Sequence, residues 1–364
     1  MLEKLNPDRV RRILVRGPNW VGDAVMCTPA LQGIRQTFPS ADICLLARPA
    51  VAQLLQNHPS VNDTIVYEHQ AQHAGLMGRL RLAMNLQTMH FDLAILFPNA
   101  LDAAILTFLA RIPNRYGYAT DGRSWLLTDA IPLPQGAKTL HQVHYYEELI
   151  RPLCSEYSPQ PPLLQVSSDD ERQAAELLFE HSVRMNCSIL GLNPGSMYGE
   201  AKRWLPKRFA QAADQIVEGW VTQEHSESRA QCIIVGAPGE ETLGHEIASF
   251  MRTTPVVLTG KTSLGALKAV IKQCRVFLTN DTGPMHIANA LGVPVVAVFG
   301  PTDHKTTAPF VPGYVIVRTP VECSPCLLRE CPIDHPCMTG VTVDQVVTAT
   351  EQVLKTPPVS SLHR

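Results

Sequence analysis

Short β-branched and apolar runs alternate with longer helical patterns from one end of this chain to the other, and that alternation specifies an α/β protein built on parallel sheets. The first half offers Ile13-Leu14-Val15, Ile43-Cys44-Leu45-Leu46, Thr64-Ile65-Val66-Tyr67 and Leu93-Ala94-Ile95-Leu96-Phe97 as strands. The second offers Ile189-Leu190-Gly191-Leu192, Cys232-Ile233-Ile234-Val235, Val256-Val257-Leu258, Val276-Phe277-Leu278 and the run 293–299. Each series supplies one Rossmann-like sheet, repeated in kind and not in sequence, and ligands of such sheets sit at the carboxyl ends of the strands. A length of 364 residues gives a prior of two domains. Between the two series lies Tyr157-Ser158-Pro159-Gln160-Pro161-Pro162, whose prolines suit a semi-rigid connector, so the expected domains are 1–165 and 166–350. A helical stretch over 169–184 opens the second domain, 223–229 reads as a polar surface loop, and 351–364 as a flexible, frayed tail.

Composition narrows the function classes. With 45% hydrophobic and 18% charged residues the chain can bury sizeable cores, which disfavours wholesale disorder. The balance of 31 Lys+Arg against 33 Asp+Glu gives no global reason to expect a nucleic-acid partner. The polar opening, 1–12, lacks the apolar centre of a signal peptide, so a cytoplasmic location is expected. The most apolar stretch, 91–112, is broken by Pro98, Asn99 and Asp102 and falls short of a membrane span.

Two strand-to-helix turns carry most of the chemistry. After the first strand comes Arg16-Gly17-Pro18-Asn19-Trp20-Val21-Gly22-Asp23, a glycine-containing turn that lets backbone approach a ligand and places Asp23 at the mouth of a sheet. Asp23 fits equally a helix N-cap or first-turn acid. The turn has neither the Gly-x-Gly-x-x-Gly spacing nor the Walker lysine pattern, which removes the main support for dinucleotide and P-loop readings. In the second half, Leu278-Thr279-Asn280-Asp281-Thr282-Gly283-Pro284-Met285-His286 runs from strand into helix. Its free amides and helix dipole make an anion site, Gly283 clears space for a phosphate, and Pro284 suits a first helical position; a well-capped helix would carry the same letters. Phe299-Gly300-Pro301-Thr302-Asp303 ends the next strand and can wall the same site. Lys202, in Gly199-Glu200-Ala201-Lys202-Arg203-Trp204, follows the turn Asn193-Pro194-Gly195-Ser196 and offers a compact point charge for an anionic leaving group. In Gly236-Ala237-Pro238-Gly239-Glu240-Glu241 a carboxylate can accept from ribose hydroxyls or serve as a helix-start acid.

Ten cysteines over this length do not make a disulfide scaffold, and most are expected in the core. Cys323-x2-Cys326-x4-Cys331-x5-Cys337, with His335 nearby, has spacing compatible with zinc, an iron-sulfur cluster or a loop of reduced thiols, and matches no full zinc-finger pattern. His141 and His144 read as helix-packing residues.

Taken in order, Gly-Pro-x-Trp-Val-Gly-Asp, Ala-Lys-Arg-Trp, Gly-Ala-Pro-x-Glu, Asn-Asp-Thr-Gly-x-x-His, Phe-Gly-Pro-Thr-Asp and the terminal cysteines resemble the ADP-heptose:lipopolysaccharide heptosyltransferases of glycosyltransferase family 9, over about 13–347. The resemblance implies a GT-B fold, two Rossmann-like domains facing a central cleft, with acceptor bound by 1–165 and nucleotide sugar by 166–350. It implies Asp23 as the catalytic aspartate, Lys202 as the phosphate-contacting lysine and Glu240 as the ribose-contacting acid. Asp281, Thr282, Gly283 and His286 match the pyrophosphate loop, and Ser196 and Thr262 join the donor-binding set. The implied chemistry is inverting, needs no metal or other cofactor, and moves L-glycero-D-manno-heptose from ADP-heptose to the first heptose of the lipid A inner core, releasing ADP. A lipid-linked acceptor implies peripheral contact with the inner face of the inner membrane, through basic residues such as Arg79, Arg81 and Arg123. Rival readings are a GT-B transferase with another nucleotide sugar or core position, a nucleotide-sugar-binding protein without turnover, and a metal-dependent or redox-sensing protein built on the tail cysteines.

Overall fold

The computed structural model describes residues 7–154, 157–183, 187–223 and 230–355. The chain divides into two compact units, Met1–Gln165 and Val166–Arg364.

The first unit runs β1 (Arg12–Arg16), α1 (Val21–Met26), α2 (Thr28–Thr37), β2 (Asp42–Ala47), α3 (Pro49–Leu55), β3 (Asp63–Val66), α4 (Gly75–Thr88), β4 (Leu93–Leu96), α5 (Leu101–Leu109), β5 (Asn114–Tyr118), β6 (Asp129–Ile131) and α6 (Gln142–Ile150). Its six strands are all parallel in the order β3-β2-β1-β4-β5-β6. That order reverses direction between β1 and β4, and the loops leaving those two strands therefore diverge to open a crevice. The central strands are apolar on both faces because helices cover both: Leu14, Cys44, Ala94 and Leu96 pack with α4 and α5, while Ile13 and Val15 are buried on the opposite side.

The second unit runs α7 (Ser168–Glu180), β7 (Ser188–Asn193), α8 (Pro206–Gln223), β8 (Ala230–Ile234), α9 (Glu241–Phe250), β9 (Val256–Val257), α10 (Leu264–Lys272), β10 (Val276–Asn280), α11 (Gly283–Ala290), β11 (Val295–Val298), α12 (His304–Thr307), β12 (Tyr314–Val317), α13 (Pro336–Thr339) and α14 (Val343–Lys355). The order β12-β11-β10-β7-β8-β9, again all parallel, is the first unit's topology repeated, with its switch point between β7 and β10. Helix α7 opens with a capping box, Ser167 and Asp170 bonding reciprocally at 3.1 and 3.0 Å. The same Asp170 carboxylate lies 3.2 Å from the buried Lys268 ammonium and so pins α7 to α10.

Several sequence expectations meet a different outcome. β5, β6 and β12 have no counterpart among the expected strands: β5 reads Asn-Arg-Tyr-Gly-Tyr, and its strand character comes from burying Tyr116 and Tyr118, not from an apolar run. Residues 351–355 complete α14 and are not tail; 356–364 lie outside the described residues, as do 224–229 of the expected loop, whose first residue, Gln223, ends α8. Helix α7 ends at Glu180, and the last residue of the expected stretch, 184, also lies outside. Arg123 is buried, its Nε donating to Tyr118 O at 3.0 Å, so it is unavailable to a membrane. Among the described residues no helix is long and apolar enough to cross a membrane.

Candidate active site

In the first unit the loop leaving β1 is shaped by a buried cation. Arg16 Nη2 donates to Asn19 Oδ1 at 2.8 Å, Nη1 bonds the Gly17 carbonyl, and the guanidinium stacks 5.2 Å over the Tyr67 ring. Burial lowers its pKa to about 10, opposed by the Asp102 charge. Gly17 packs closely there, a Cβ standing 3.1 Å from the Leu45 Cδ1 methyl. The chain enters α1 with Trp20 at the N-cap and no side-chain cap, so Asp23 lies inside the first helical turn instead of capping it. Its carboxylate is partly buried and faces a cavity of about 390 Å³ lined also by Trp20, Asn99, Lys138, Tyr145 and Tyr146. Asn99 Nδ2 donates to Tyr145 Oη at 2.8 Å, while its Oδ1 is buried without a partner. Burial, then the Asp23 charge, raises the Tyr146 phenol well above its ordinary value, keeping it a neutral donor beside the acid. Aromatic faces, amides, hydroxyls and one carboxylate around a concave space suit a polyhydroxylated ligand. Lys138, Tyr145 and Asn99 were not singled out from sequence as ligand contacts: Asn99 and Lys138 lie in loops and Tyr145 on α6, brought to β1 only by the fold.

In the second unit the candidate donor residues gather where β7, β8 and β10 end. Lys202 Nζ donates to Asp281 Oδ2 at 2.6 Å and to Asp281 O at 3.2 Å, and lies 4.9 Å over the Tyr198 ring. Thr302 Oγ1 donates to the same Oδ2 at 2.6 Å, so the loop after β11 closes on the loop after β10. Asn280 holds the floor: its Nδ2 donates to Pro194 O at 2.7 Å and its Oδ1 accepts from Trp204 N at 3.0 Å. Glu240 bridges two loops, accepting from Ser196 N at 2.8 Å and Ala237 N at 2.9 Å. Gly195 leaves room for that carboxylate, since a Cβ would come within 2.0 Å of Oε2. Ser196 Oγ, beside it, is buried without a partner. Glu241 starts α9 and accepts from Gly239 N at 2.8 Å.

Helix α11 begins one residue earlier than expected, at Gly283, with Pro284 second and Thr282 at the N-cap. Thr282 does not cap the helix: its Oγ1 accepts from Asn193 Nδ2 at 2.9 Å. The positive end of the dipole is thus left unsatisfied by its own N-cap side chain, which a merely well-capped helix would not do. His286 is buried in the same helix, and Thr262 sits partly exposed just before Ser263, the α10 cap. Ser196, Lys202, Glu240, Asp281 and Thr282 are therefore one connected constellation. Asp23 belongs to the other unit.

Among the described residues no cysteine forms a disulfide, and six of the ten are buried. Among the described residues no group of three or more His, Cys, Asp or Glu is placed to hold a metal. Burial, then the neighbouring Cys323, Cys331 and Cys326, raises the Cys337 thiol. The segment braces the lysine turn: Tyr198 Oη donates to Leu327 O at 2.6 Å, Ala201 N to Arg329 O at 3.0 Å, and His335 Nε2 lies 2.7 Å from Ala201 O.

Comparison with known proteins fits this geometry. The model of glycosyltransferase family 9 (heptosyltransferase) matches residues 79–336. Lipopolysaccharide heptosyltransferase 2 of Salmonella typhimurium is 31% identical over 321 residues, covering 84% of this chain and 88% of that protein. Among solved structures, E. coli ADP-heptose lps heptosyltransferase II superposes with a TM-score of 0.78 at 27% identity, covering 94% of this chain and 98% of that one. The family 9 glycosyl transferase of Veillonella parvula does so with a TM-score of 0.84 at 24% identity, covering 96% and 98%. Two successive Rossmann-like units matched over nearly their full length make the fold GT-B. With a family match across most of its length, this chain belongs to glycosyltransferase family 9, the heptosyltransferases, and is a glycosyltransferase.

Proposed function

We propose that this enzyme moves L-glycero-D-manno-heptose from ADP-heptose to the first heptose of the lipopolysaccharide inner core, with inversion and release of ADP. The observation that carries the donor half is the Lys202–Asp281–Thr302 cluster at the uncapped start of α11. The heptose and core assignments draw on relatives named lipopolysaccharide heptosyltransferase 2 from Salmonella typhimurium and E. coli.

In this reading the diphosphate lies against the amides of Thr282 and Gly283. Lys202 faces the charge that grows on the leaving group, a preorganised stabilisation that supplies what a divalent cation supplies elsewhere. Ser196, whose hydroxyl lacks a protein partner, donates to the donor, with Thr262 and His286 completing the pocket wall. Both Glu240 oxygens already accept backbone amides, so Glu240 reaches ribose hydroxyls through its remaining lone pairs while it holds the Ser196 and Ala237 turns. Asp23, in the 390 Å³ cavity of residues 1–165, accepts the proton of the acceptor hydroxyl as that oxygen attacks the anomeric carbon. The acceptor being lipid-linked, the enzyme works from the cytoplasm at the inner face of the inner membrane.

Incubating the purified protein with ADP-heptose and an acceptor bearing one core heptose tests this: ADP appears with a product heavier by one heptose, and EDTA leaves the rate unchanged. Turnover with a different nucleotide sugar, and none with ADP-heptose, overturns the heptosyl assignment.

A further inference from the structure

A surface helix ordinarily turns its polar side outward. Helix α5 does not. Its inner face, Ala103, Ala104, Leu106 and Thr107, is buried against the sheet, yet its outer face carries Leu101, Ile105, Phe108 and Leu109, all exposed. Trp125, 72% exposed, stands edge-on to Phe108 with ring centroids 6.4 Å apart and extends the apolar strip. The neighbouring α4, packed along α5, adds exposed Leu76, Met77 and Met84. Charge here leans basic: α4 carries Arg79 and Arg81 and no acid, Arg111 is exposed just beyond α5, and the half-buried Arg115 lies 5.5 Å over the Phe108 ring, against the single acid of α5, the partly buried Asp102 in its first turn.

We propose that the outer faces of α4 and α5 with Trp125 form a docking surface for anionic lipid. A Trp, Phe, Leu and Ile face ringed by arginines matches the chemistry of an interfacial helix, whose apolar side enters the acyl boundary while guanidinium groups meet phosphate headgroups. The exposed Arg79, Arg81 and Arg111 favour an anionic lipid surface over a second copy of this same basic face, which they would repel. The surface is joined to the Asp23 cavity: α5 starts immediately after Asn99 and Ala100, which line that cavity. Arg123, two residues before Trp125, donates to Ala100 O at 3.3 Å and to Pro98 O, tying the tryptophan loop to the cavity rim. This inference rests on the lipid-linked acceptor of the proposed function, because docking here would bring the mouth of the cavity to the headgroup layer.

The test is sedimentation of the full-length protein with vesicles of phosphatidylglycerol and phosphatidylethanolamine, against vesicles of phosphatidylcholine alone. The wild type pellets with the anionic vesicles, less so as salt rises. Each of Arg79→Ala and Arg81→Ala lowers its partition roughly fivefold. Ile105→Glu combined with Trp125→Glu abolishes binding. Should that pair unfold the protein, Trp125→Ser alone, at a largely exposed position, still reduces binding. Transfer to a lipid-bearing acceptor in vesicles falls in step, while transfer to the delipidated oligosaccharide stays at the wild-type rate. Unchanged vesicle binding by the variants, or no binding by the wild type, overturns the proposal, as does a wild-type dimer that the variants split, which would assign the strip to a second copy. Absence of transfer to the delipidated acceptor by the wild type would instead sink the heptosyl reading, whatever the vesicles show.

Discussion

Asp23 and Lys202 are each placed by other residues. Buried Arg16 fixes the loop that delivers Asp23 into the first turn of α1, and Asp281 with the Tyr198 ring fixes the Lys202 ammonium. If Asp23 is the base, Asp23→Asn keeps the size and shape of the side chain and removes proton acceptance. Transfer should fall by about 10²–10⁴-fold, the usual contribution of a general base, with ADP-heptose affinity unchanged by calorimetry. Wild-type turnover by that variant would remove Asp23 from the mechanism. The identities of these residues were legible as short motifs, but their partners were not. Lys202 pairs with Asp281 across 79 positions, and Ser196 meets Glu240 across 44, and no local pattern encodes which loops a sheet order will bring together. The same holds for Glu240: sequence offers an acid after a strand, whereas its role as a clamp over Gly195 appears only when two loops are seen in contact.

The elements that sequence revealed are those with an apolar period, such as β4 and β10, buried on both faces. β5 stayed hidden because it satisfies the sheet through aromatic burial, with Tyr118 Oη reaching Tyr145 O at 2.7 Å, a contact to a helix 27 positions away, and β6 because it is a three-residue edge strand, Asp129–Ile131, with no fully buried residue to give it an apolar run. One connection makes a stability prediction. Between α3 and β3, His58 is buried, and its Nδ1 accepts from Ser60 N at 3.2 Å, which requires an unprotonated nitrogen. Burial lowers its pKa from 6.5 to about 4. In the unfolded chain this histidine takes up a proton as the pH drops through its ordinary value, while the folded protein refuses it until about 4. The unfolded state therefore binds more protons in this window, and stability falls with falling pH, by about 3 kcal/mol once both values are passed. Urea unfolding at successive pH values should show this loss, and His58→Gln, which keeps an acceptor without a titrating group, should flatten it. An equal slope in the variant would assign the acid sensitivity to other groups.

At the scale of the molecule, one strand order occurs twice, and both times the loops leaving the two switch-point strands carry the candidate chemistry: β1 and β4 around Asp23, β7 and β10 around Lys202 and Asp281. The repeat was visible in sequence as a repeated alternation, since parallel sheets need apolar strands spaced by helices, although the division of labour between the units was implied by resemblance alone. That division makes a testable claim. If the donor is held by 166–350, ADP contacts only the ends of β7, β8 and β10 and the start of α11. Hydrogen exchange on the whole protein with saturating ADP should then slow at 193–202, 236–241 and 280–286, where backbone amides gain a ligand, and should leave 17–23 and 97–100 unchanged. Binding only the native state, ADP at a hundredfold excess over its Kd should add about 2.7 kcal/mol of stability. A delipidated acceptor added alone should reverse the pattern, slowing exchange around Asp23 and the Asn99 loop. Protection of 17–23 by ADP in the absence of acceptor would mean that the nucleotide occupies the first unit, and the assignment of donor and acceptor to the two sheets would have to be exchanged.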